Sequence, residues 1–552
     1  MTFFAKFRLS PFGYLNCTQF LGAMNDNIYK LLIVFCFIAL EGKEASNRIL
    51  SSVGALYVLP FLILSSTAGT MADRFSKRNI IVVVKFVECC VMILGTISFY
   101  LGSKLLAYGA LFLLACHSAI FAPCKYGIVP EIVPPERISR ANGILTSCTY
   151  TAIIIGTFLA SFLTDISDHN FIFASYAAMF FAVIGICFSL QIPKTPPSGS
   201  EKEISPRFIT ELFHNLRIIF KQPSLLSAVL GSAFFLFVGS YAQLNMIPFA
   251  MQALGLTDVQ GGYLFLLTAL GIGAGSLLAG RLSGKTVELG LVPIGGFGIA
   301  LCCILLSVFR YHIAFEIALV GLIGVFGGIY LVPLDSYIQL ASPKTIRGQV
   351  IATTNFLGFF GVLLSAGMLY FLSEIVGLGA AQGFFVVGMI TLAYVTGITI
   401  AISGYVTRFF YMILARFRYK AAVHGKAALQ GHAPALFFST LPVWPWAAIL
   451  TGSQTRRMRI FYLNGAEPQL PWYKRFYKKE LVSIAELDPE SKTASRIREA
   501  IERGTSVAIF LPATYAEEIR AFKAKWQHFL PVAYFSFKKR DGGPFEAELT
   551  QL

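Results

Sequence analysis

From Tyr14 to about Tyr405 the chain repeats apolar runs of roughly 20 residues, separated by short polar, glycine- and proline-bearing breaks. A helix rising about 1.5 Å per residue needs that length to cross roughly 30 Å of hydrocarbon. The pattern predicts twelve spanning helices, near 14–40, 49–71, 79–101, 105–122, 141–163 and 171–190, then near 225–254, 261–282, 290–309, 313–334, 349–372 and 379–405. From about Arg408 the composition is that of a soluble segment. The expected organisation is an all-α polytopic membrane protein with a six-helix bundle over 1–192, a linker over 193–223, a second six-helix bundle over 224–407, and a separate domain over 408–552.

Composition agrees with a membrane solvent. Of 552 residues, 56% are hydrophobic and 13% charged, against about a quarter charged in soluble domains. The net charge of +16 would suit nucleic acid, but its placement argues otherwise. With a cytoplasmic N-terminus, the inward loops hold Lys6, Arg8, Arg74, Lys77, Arg78, Lys125, Arg137, Arg140, Lys194, Lys202, Arg207, Arg217, Lys221, Arg281, Lys285, Lys344 and Arg347, and the outward loops only Lys43, Arg48, Lys104 and Arg310. That is the positive-inside bias, and it places both termini in the cytoplasm. The first run carries Asp26, Asn27 and Lys30 and no small-residue cleavage site, so it reads as a retained helix. All ten cysteines lie in the bundle without metal-ligand spacing. Neither disulfides, a metal nor any cofactor is expected.

The halves echo one another, as in carriers built from two repeats. Gly69-Thr-Met-Ala-Asp73-Arg74-Phe-Ser-Lys77-Arg78 recurs as Ser276-Leu-Leu-Ala-Gly280-Arg281-Leu-Ser-Gly-Lys285, and Pro123 to Arg140 has its counterpart in Pro333 to Arg347. The first block resembles the signature loop of the major facilitator superfamily. Its logic is a latch: Asp73 meets a helix N-terminus or a basic partner in one state and loses it in the other. Gly280 stands where the second copy would carry an acid, so that copy should latch less. The block Pro123-Cys-Lys125-Tyr126-Gly127, with Arg140-Ala-Asn142-Gly143 at the exit of a polar hinge, resembles the loop after the fourth helix of bacterial lysophospholipid transporters. The resemblance implies the major facilitator fold.

Ionisable residues within spans are candidate site residues, because an ionised carboxylate mid-membrane costs about 2.5–3.5 kcal/mol on insertion scales. Asp26 and Asn27 qualify. The resemblance implies that this pair engages a lipid head group, and the bland alternative pairs Asp26 with Lys30 one turn on. Lys85 and Glu88 share a helix face and either neutralise one another or form a polar patch on the cavity wall; the acidic Glu88 departs from relatives. Lys125, placed at the end of the fourth span, is either a phosphate contact at the cytoplasmic rim or a positive-inside anchor. His117 reads as a packed or hydrogen-bonded core histidine. Gln243 stands where relatives commonly place an arginine, which implies a substrate contact with less affinity for anions. For gating the residues are Gly69, Asp73, Arg74, Arg78, Glu131, Arg140, Arg281, Asp335 and Arg347, with Asp335 assigned to a gate and not to the binding site.

The tail, with Leu441-Pro-Val-Trp-Pro445, Leu487-Asp488-Pro489 and Arg496 to Phe510, resembles a glycerolipid acyltransferase domain, which implies a small α/β fold. Its catalytic blocks are broken. His424 and His432 are followed five positions later by Leu429 and Phe437 in place of an acid, and Phe510-Leu511-Pro512-Ala513 lacks the glutamate that grips phosphate. The tail is therefore expected to be inactive, and its basic-aromatic clusters around Arg456 and Lys474 suit an anionic leaflet and not nucleic acid.

The resemblance thus implies a bacterial inner-membrane transporter moving single-chain phospholipids such as lysophosphatidylethanolamine to the inner leaflet for reacylation. A separate cytoplasmic acyltransferase or acyl-carrier-protein ligase is the candidate partner. A proton-coupled exporter of amphipathic drugs and a membrane-anchored lysophospholipid acyltransferase are the alternatives.

Overall fold

The computed structural model describes residues 9–204, 208–284, 286–309, 312–414, 422–424, 436–439, 450, 458–463, 481–482, 490–502, 505–511, 526, 532–539 and 545–551. Among them are twelve helices long and apolar enough to cross a membrane. Six belong to the first half: α1 (Pro11–Glu41), α2 (Ser46–Arg74), α3 (Lys77–Tyr100), α4 (Lys104–Ile132), α5 (Ile138–Ile166) and α6 (Phe171–Leu190). In the second half they are α8 (Pro223–Ala253), α9 (Asp258–Leu282), α10 (Leu291–Val308), α11 (Ile313–Ala341), α12 (Arg347–Tyr370) and α13 (Ala380–Ala401).

Two helices outrun their apolar stretch. The Phe121–Gly143 hinge is not a loop but two helix ends joined by one 3₁₀ turn, Pro135–Arg137, with α4 running through Pro123 and Pro130. Pro123, Cys124, Gly127, Ile128 and Val129 are buried in protein. Proline within a spanning helix is tolerated where the helix packs against protein. α11 likewise continues through Pro333 to Ala341. The linker also holds an unforeseen helix, α7 (Phe208–Phe220), which packs on α2, α8 and α12 and leaves Ile209, Phe213 and Phe220 exposed.

Packing divides the chain into one unit of residues 1–287 with 291–401, and a second of 288–290 with 402–552. In the first, α2 lies on α12 and α5 on α9, joining the two halves along two seams. In the second, the buried Arg408 of α14 (Ser403–Ile413) pairs with Glu288. Burial pushes that carboxyl up, against the pull of the guanidinium.

The described strands of the second unit are β1 (Ala422–His424), β2 (Leu436–Ser439), β3 (Met458–Leu463), β4 (Leu481–Val482), β5 (Ser506–Phe510), β6 (Val532–Lys539) and β7 (Phe545–Gln551). They form one sheet in the order β1-β7-β6-β2-β5-β3-β4, antiparallel only between β6 and β7. Helix α15 (Lys492–Glu502) buries Ala494, Ile497 and Ile501 in the same apolar core as Phe438, Phe461 and Ile509. Leu429, His432, the 441–445 and 487–489 blocks, Arg456, Lys474, Pro512 and Ala513 lie outside the described residues, as do Lys6, Arg8, Arg207, Lys285 and Arg310.

Candidate functional site

A cavity of about 360 Å³ lies within the bundle, inside the range of small-molecule sites, about 300–1,000 Å³. Both halves line it, the first through α1 to α5 and the second through α8, α11 and α12. Its wall is apolar and aromatic at Phe61, Phe121, Ile153, Leu236, Leu331 and Phe359, and polar at a few convergent positions. Phe61 and Phe359 stack across the halves with centroids 4.0 Å apart.

Asp26 is one of those polar positions. Its Oδ2 accepts from Ser118 Oγ at 2.7 Å and from Tyr57 OH at 3.2 Å, while Oδ1 has no hydrogen-bond partner. The alternative pairing with Lys30 is not made, because Lys30 Nζ donates to Asn27 Oδ1 at 3.1 Å. Asn27 also lines the cavity, with its amide donating to Ala23 O at 2.8 Å.

Lys85 and Glu88 are buried and paired at 2.5 Å. Glu88 Oε1 accepts from Asn25 Nδ2 at 3.1 Å, and Oε2 lies 3.2 Å from His117 Nε2. Lys85 and His117 reach the cavity wall, but Glu88 does not. The expectation that Glu88 contacts substrate is corrected accordingly: its carboxylate is turned between α1, α3 and α4, where three polar partners surround it.

Lys125 is in the cavity and not at the rim, because α4 continues two turns beyond it. It forms no ion pair among the described residues, and its ammonium sits 4.5 Å from the Tyr126 ring centroid. Asp335 also lines the cavity, accepting from Ser232 Oγ at 3.0 Å. Its assignment to a gate is corrected for the same reason, since α11 extends past it. Gln243 is corrected too. It is exposed, whereas Tyr241 and Asn245, one helical turn apart, face inward, with Asn245 donating to Ala380 O at 2.7 Å. A residue two places along a helix points to the far side.

The remaining residues gather at the end of the bundle that carries the 74–77 turn. Asp73 is buried and accepts from the backbone N–H of Gly348 (2.7 Å) and Gln349 (2.9 Å) and from Gln349 Nε2 (3.2 Å), at the N-terminus of α12. There the helix dipole and free N–H groups favour an anion. Gly69 permits this approach: a Cβ there would stand 2.8 Å from Gln349 Cα and 2.9 Å from Gly348 O. Lys202 of the linker donates to Gln349 Oε1 at 2.7 Å and pairs with Glu211 of α7. Arg78 donates to Ile192 O and Leu190 O at the end of α6, and Lys77 pairs with Glu131 at 2.7 Å. Arg347 is buried, its Nε without a hydrogen-bond partner among the described residues. Arg74, Arg140 and Arg281 are exposed and form no ion pair among the described residues.

Sequence reasoning missed a second polar link across the halves. Asn142 exchanges amide hydrogen bonds with Gln339 (3.1 and 3.0 Å) and donates to Ser336 Oγ at 3.0 Å. Its place in the Arg-Ala-Asn-Gly exit was the available signal. Ser118 and Tyr57, which hold Asp26, carried none.

Residues 15–366 match the family described as Major Facilitator Superfamily. The chain is 27% identical to the lysophospholipid transporter LplT of Serratia proteamaculans (strain 568) over 364 residues, 64% of this chain and 86% of that protein. It is 28% identical to the lysophospholipid transporter LplT of Yersinia pestis (strain Pestoides F) over 352 residues, 61% and 81% of the two chains. Among solved structures, the fold is similar to the human organic anion transporter MFSD10 (TM-score 0.58, 16% identity, covering 71% of this chain and 100% of that one). It is also similar to the FucP transporter in the outward conformation (TM-score 0.59, 12% identity, covering 71% and 98%).

Proposed function

The chain belongs to the major facilitator superfamily, and on that premise we propose that it moves lysophospholipids across a bacterial inner membrane by alternating access. The observation that carries this reading is a cavity shared by both halves that combines an apolar, aromatic wall with an ammonium, Lys125, that forms no ion pair among the described residues, and a carboxylate, Asp26, with one oxygen free among them. A zwitterionic single-chain lipid matches that set: phosphate toward Lys125, ammonium toward Asp26 and Asn27, chain along Phe61, Leu236 and Phe359. The curated relatives named for lysophospholipid transport support the substrate class. The lysine and arginine asymmetry supports placing the Asp73 end in the cytoplasm. Asp73 at α12 and Asn142 at α11 would then be the contacts that break when the cytoplasmic side opens. The tail is read as a degenerate acyltransferase domain serving a separate reacylating enzyme.

The test is uptake of radiolabelled lysophosphatidylethanolamine into spheroplasts, beside a panel of amphipathic drugs. Asp26→Asn should lower lysolipid uptake about tenfold or more, the worth of one charge-assisted contact, with membrane insertion unchanged. Normal uptake by a well-inserted variant, or drug efflux without lysolipid uptake, would reject the reading.

A further inference from the structure

One cluster in the bundle holds more ionisable groups than a head-group site requires. Lys85, Glu88, His117 and Asp26 come from α3, α4 and α1 and form one connected chain. Lys85 Nζ is 2.5 Å from Glu88 Oε2, which lies 3.2 Å from His117 Nε2. On its other side, His117 Nδ1 is 3.2 Å from Ser118 Oγ, and Ser118 Oγ donates to Asp26 Oδ2 at 2.7 Å. All four ionisable side chains are buried.

Hydrogen-bond direction in this chain depends on one proton. Ser118 has a single hydroxyl hydrogen. While it is given to Asp26, the imidazole can meet Ser118 only by donating from Nδ1, or donate instead to Leu114 O at 3.3 Å. The neighbour of Nε2 is a carboxylate oxygen at 3.2 Å, outside hydrogen-bond geometry, whose negative charge favours a proton on that nitrogen. Both nitrogens carry hydrogen only in the imidazolium. When Nδ1 loses its proton, it becomes an acceptor, and the Ser118 hydroxyl can turn to it and away from Asp26.

Charge couples the two ends. A substrate ammonium at the free Oδ1 of Asp26 and an imidazolium at His117 would be two like charges joined through Ser118 in one buried chain, so each disfavours the other.

We propose that His117 is a proton-binding site linked through Ser118 to Asp26, so that a head-group ammonium binding at Asp26 displaces a proton from His117. This rests on the lysolipid reading above. Other groups also face the site. Tyr57 of α2 donates to Asp26, and Lys30, a second cation one turn from Asp26 on α1, donates to the neutral amide of Asn27. Lys125 and Tyr126 of α4, Tyr150 of α5 and Asp335 of α11 complete the cavity wall, with the charges of Lys125 and Asp335 opposing one another. From α12 the wall receives Ile351, Thr354, Asn355 and Phe359, none of them titratable.

The experiment is calorimetric titration of the detergent-purified full chain with lysophosphatidylethanolamine, in buffers of different ionisation enthalpy, between about pH 5.5 and 7.5, the range in which an imidazole changes charge. At the acid end of the range about one proton should leave per lipid bound, and affinity should rise roughly fivefold or more towards the alkaline end, the scale of a site-to-site coupling. Lysophosphatidylglycerol, which has no ammonium, should bind without releasing a proton. His117→Gln should bind lysophosphatidylethanolamine with no pH dependence. Ser118→Ala, which keeps the imidazole, should lose most of the coupling, and it carries the test if His117→Gln does not fold. Binding of lysophosphatidylethanolamine without proton release, release that survives His117→Gln, or equal release by both lipids would overturn the linkage alone. Failure of the native protein to bind either lipid would reject the lysolipid reading and the linkage with it.

Discussion

Where the first half of the bundle carries Asp73, the second carries Gly280, and the two seams are closed by different physics. Asp73 places a carboxylate on the exposed N–H groups of α12, three directional hydrogen bonds that are lost together when the helices part. At the other seam Gly280 meets Gly143: a Cβ on Gly143 would stand 2.5 Å from Ser276 O and 3.3 Å from Gly280 Cα. That contact is backbone against backbone, held by dispersion, with one long neutral hydrogen bond nearby, from Ser139 Oγ to Thr286 O at 3.4 Å. The comparison teaches that a pseudo-symmetric fold need not join its halves symmetrically. Under the alternating access proposed above, one seam would resist opening by charge and the other by fit.

Removing the charge should be the largest perturbation. Asp73→Ala deletes the acceptor for three donors, and at about 1.5–3 kcal/mol for a charged hydrogen bond, partly recovered by water, we expect a loss of about a hundredfold in maximal transport rate. The apparent affinity for lysolipid should change little, because Asp73 lies outside the cavity; rate and binding measured on one preparation check both. A large loss of affinity with an unchanged rate would contradict the latch.

Spoiling the fit comes next. Gly143→Leu forces a side chain into the Ser276 carbonyl, overpacking that costs about 1–3 kcal/mol. Transport should fall about tenfold, with the closed end more open to thiol reagents at a cysteine introduced nearby. Asn142→Ala, which removes the amide exchange with Gln339, should lower the rate only a few-fold, on the scale of about 1 kcal/mol per neutral hydrogen bond. Arg281→Ala is the small end of the series. The side chain is exposed and unpaired among the described residues, so uptake should stay within about twofold of native. If Arg281 proved as important as Asp73, the second seam would also be electrostatic and the contrast would fail.

What the sequence disclosed, and what it withheld, follows from the solvent each residue meets. Runs facing lipid must be apolar, so twelve helices could be counted from hydropathy. Helix buried against protein is free of that demand, which is why α4 and α11 continued through polar, proline-bearing residues that looked like loops, taking Lys125 and Asp335 into the cavity. Gln243 was placed by resemblance although helix phase pointed elsewhere, since Tyr241 and Asn245 already marked the buried face. The 13-residue α7 was too short to register as a span. Contacts such as Asn142 with Gln339 join residues 197 positions apart, and no local pattern announces them.

The Lys85–Glu88 pair bears on how the protein is made. An early spanning segment leaves the translocation machinery before its later partners exist, and must then find its charges tolerable in lipid alone. Lys85 and Glu88 lie three residues apart on α3, so that segment carries its own counter-ion and can partition as a nearly neutral helix. On α1 the match is looser: Lys30, one turn from Asp26, donates to Asn27 and not to it, and the hydrogen-bond partners of Asp26, Tyr57 and Ser118, arrive with α2 and α4. With an ionised aspartate at mid-depth costing about 2.5–3.5 kcal/mol, the first helix would gain more from later synthesis than the third.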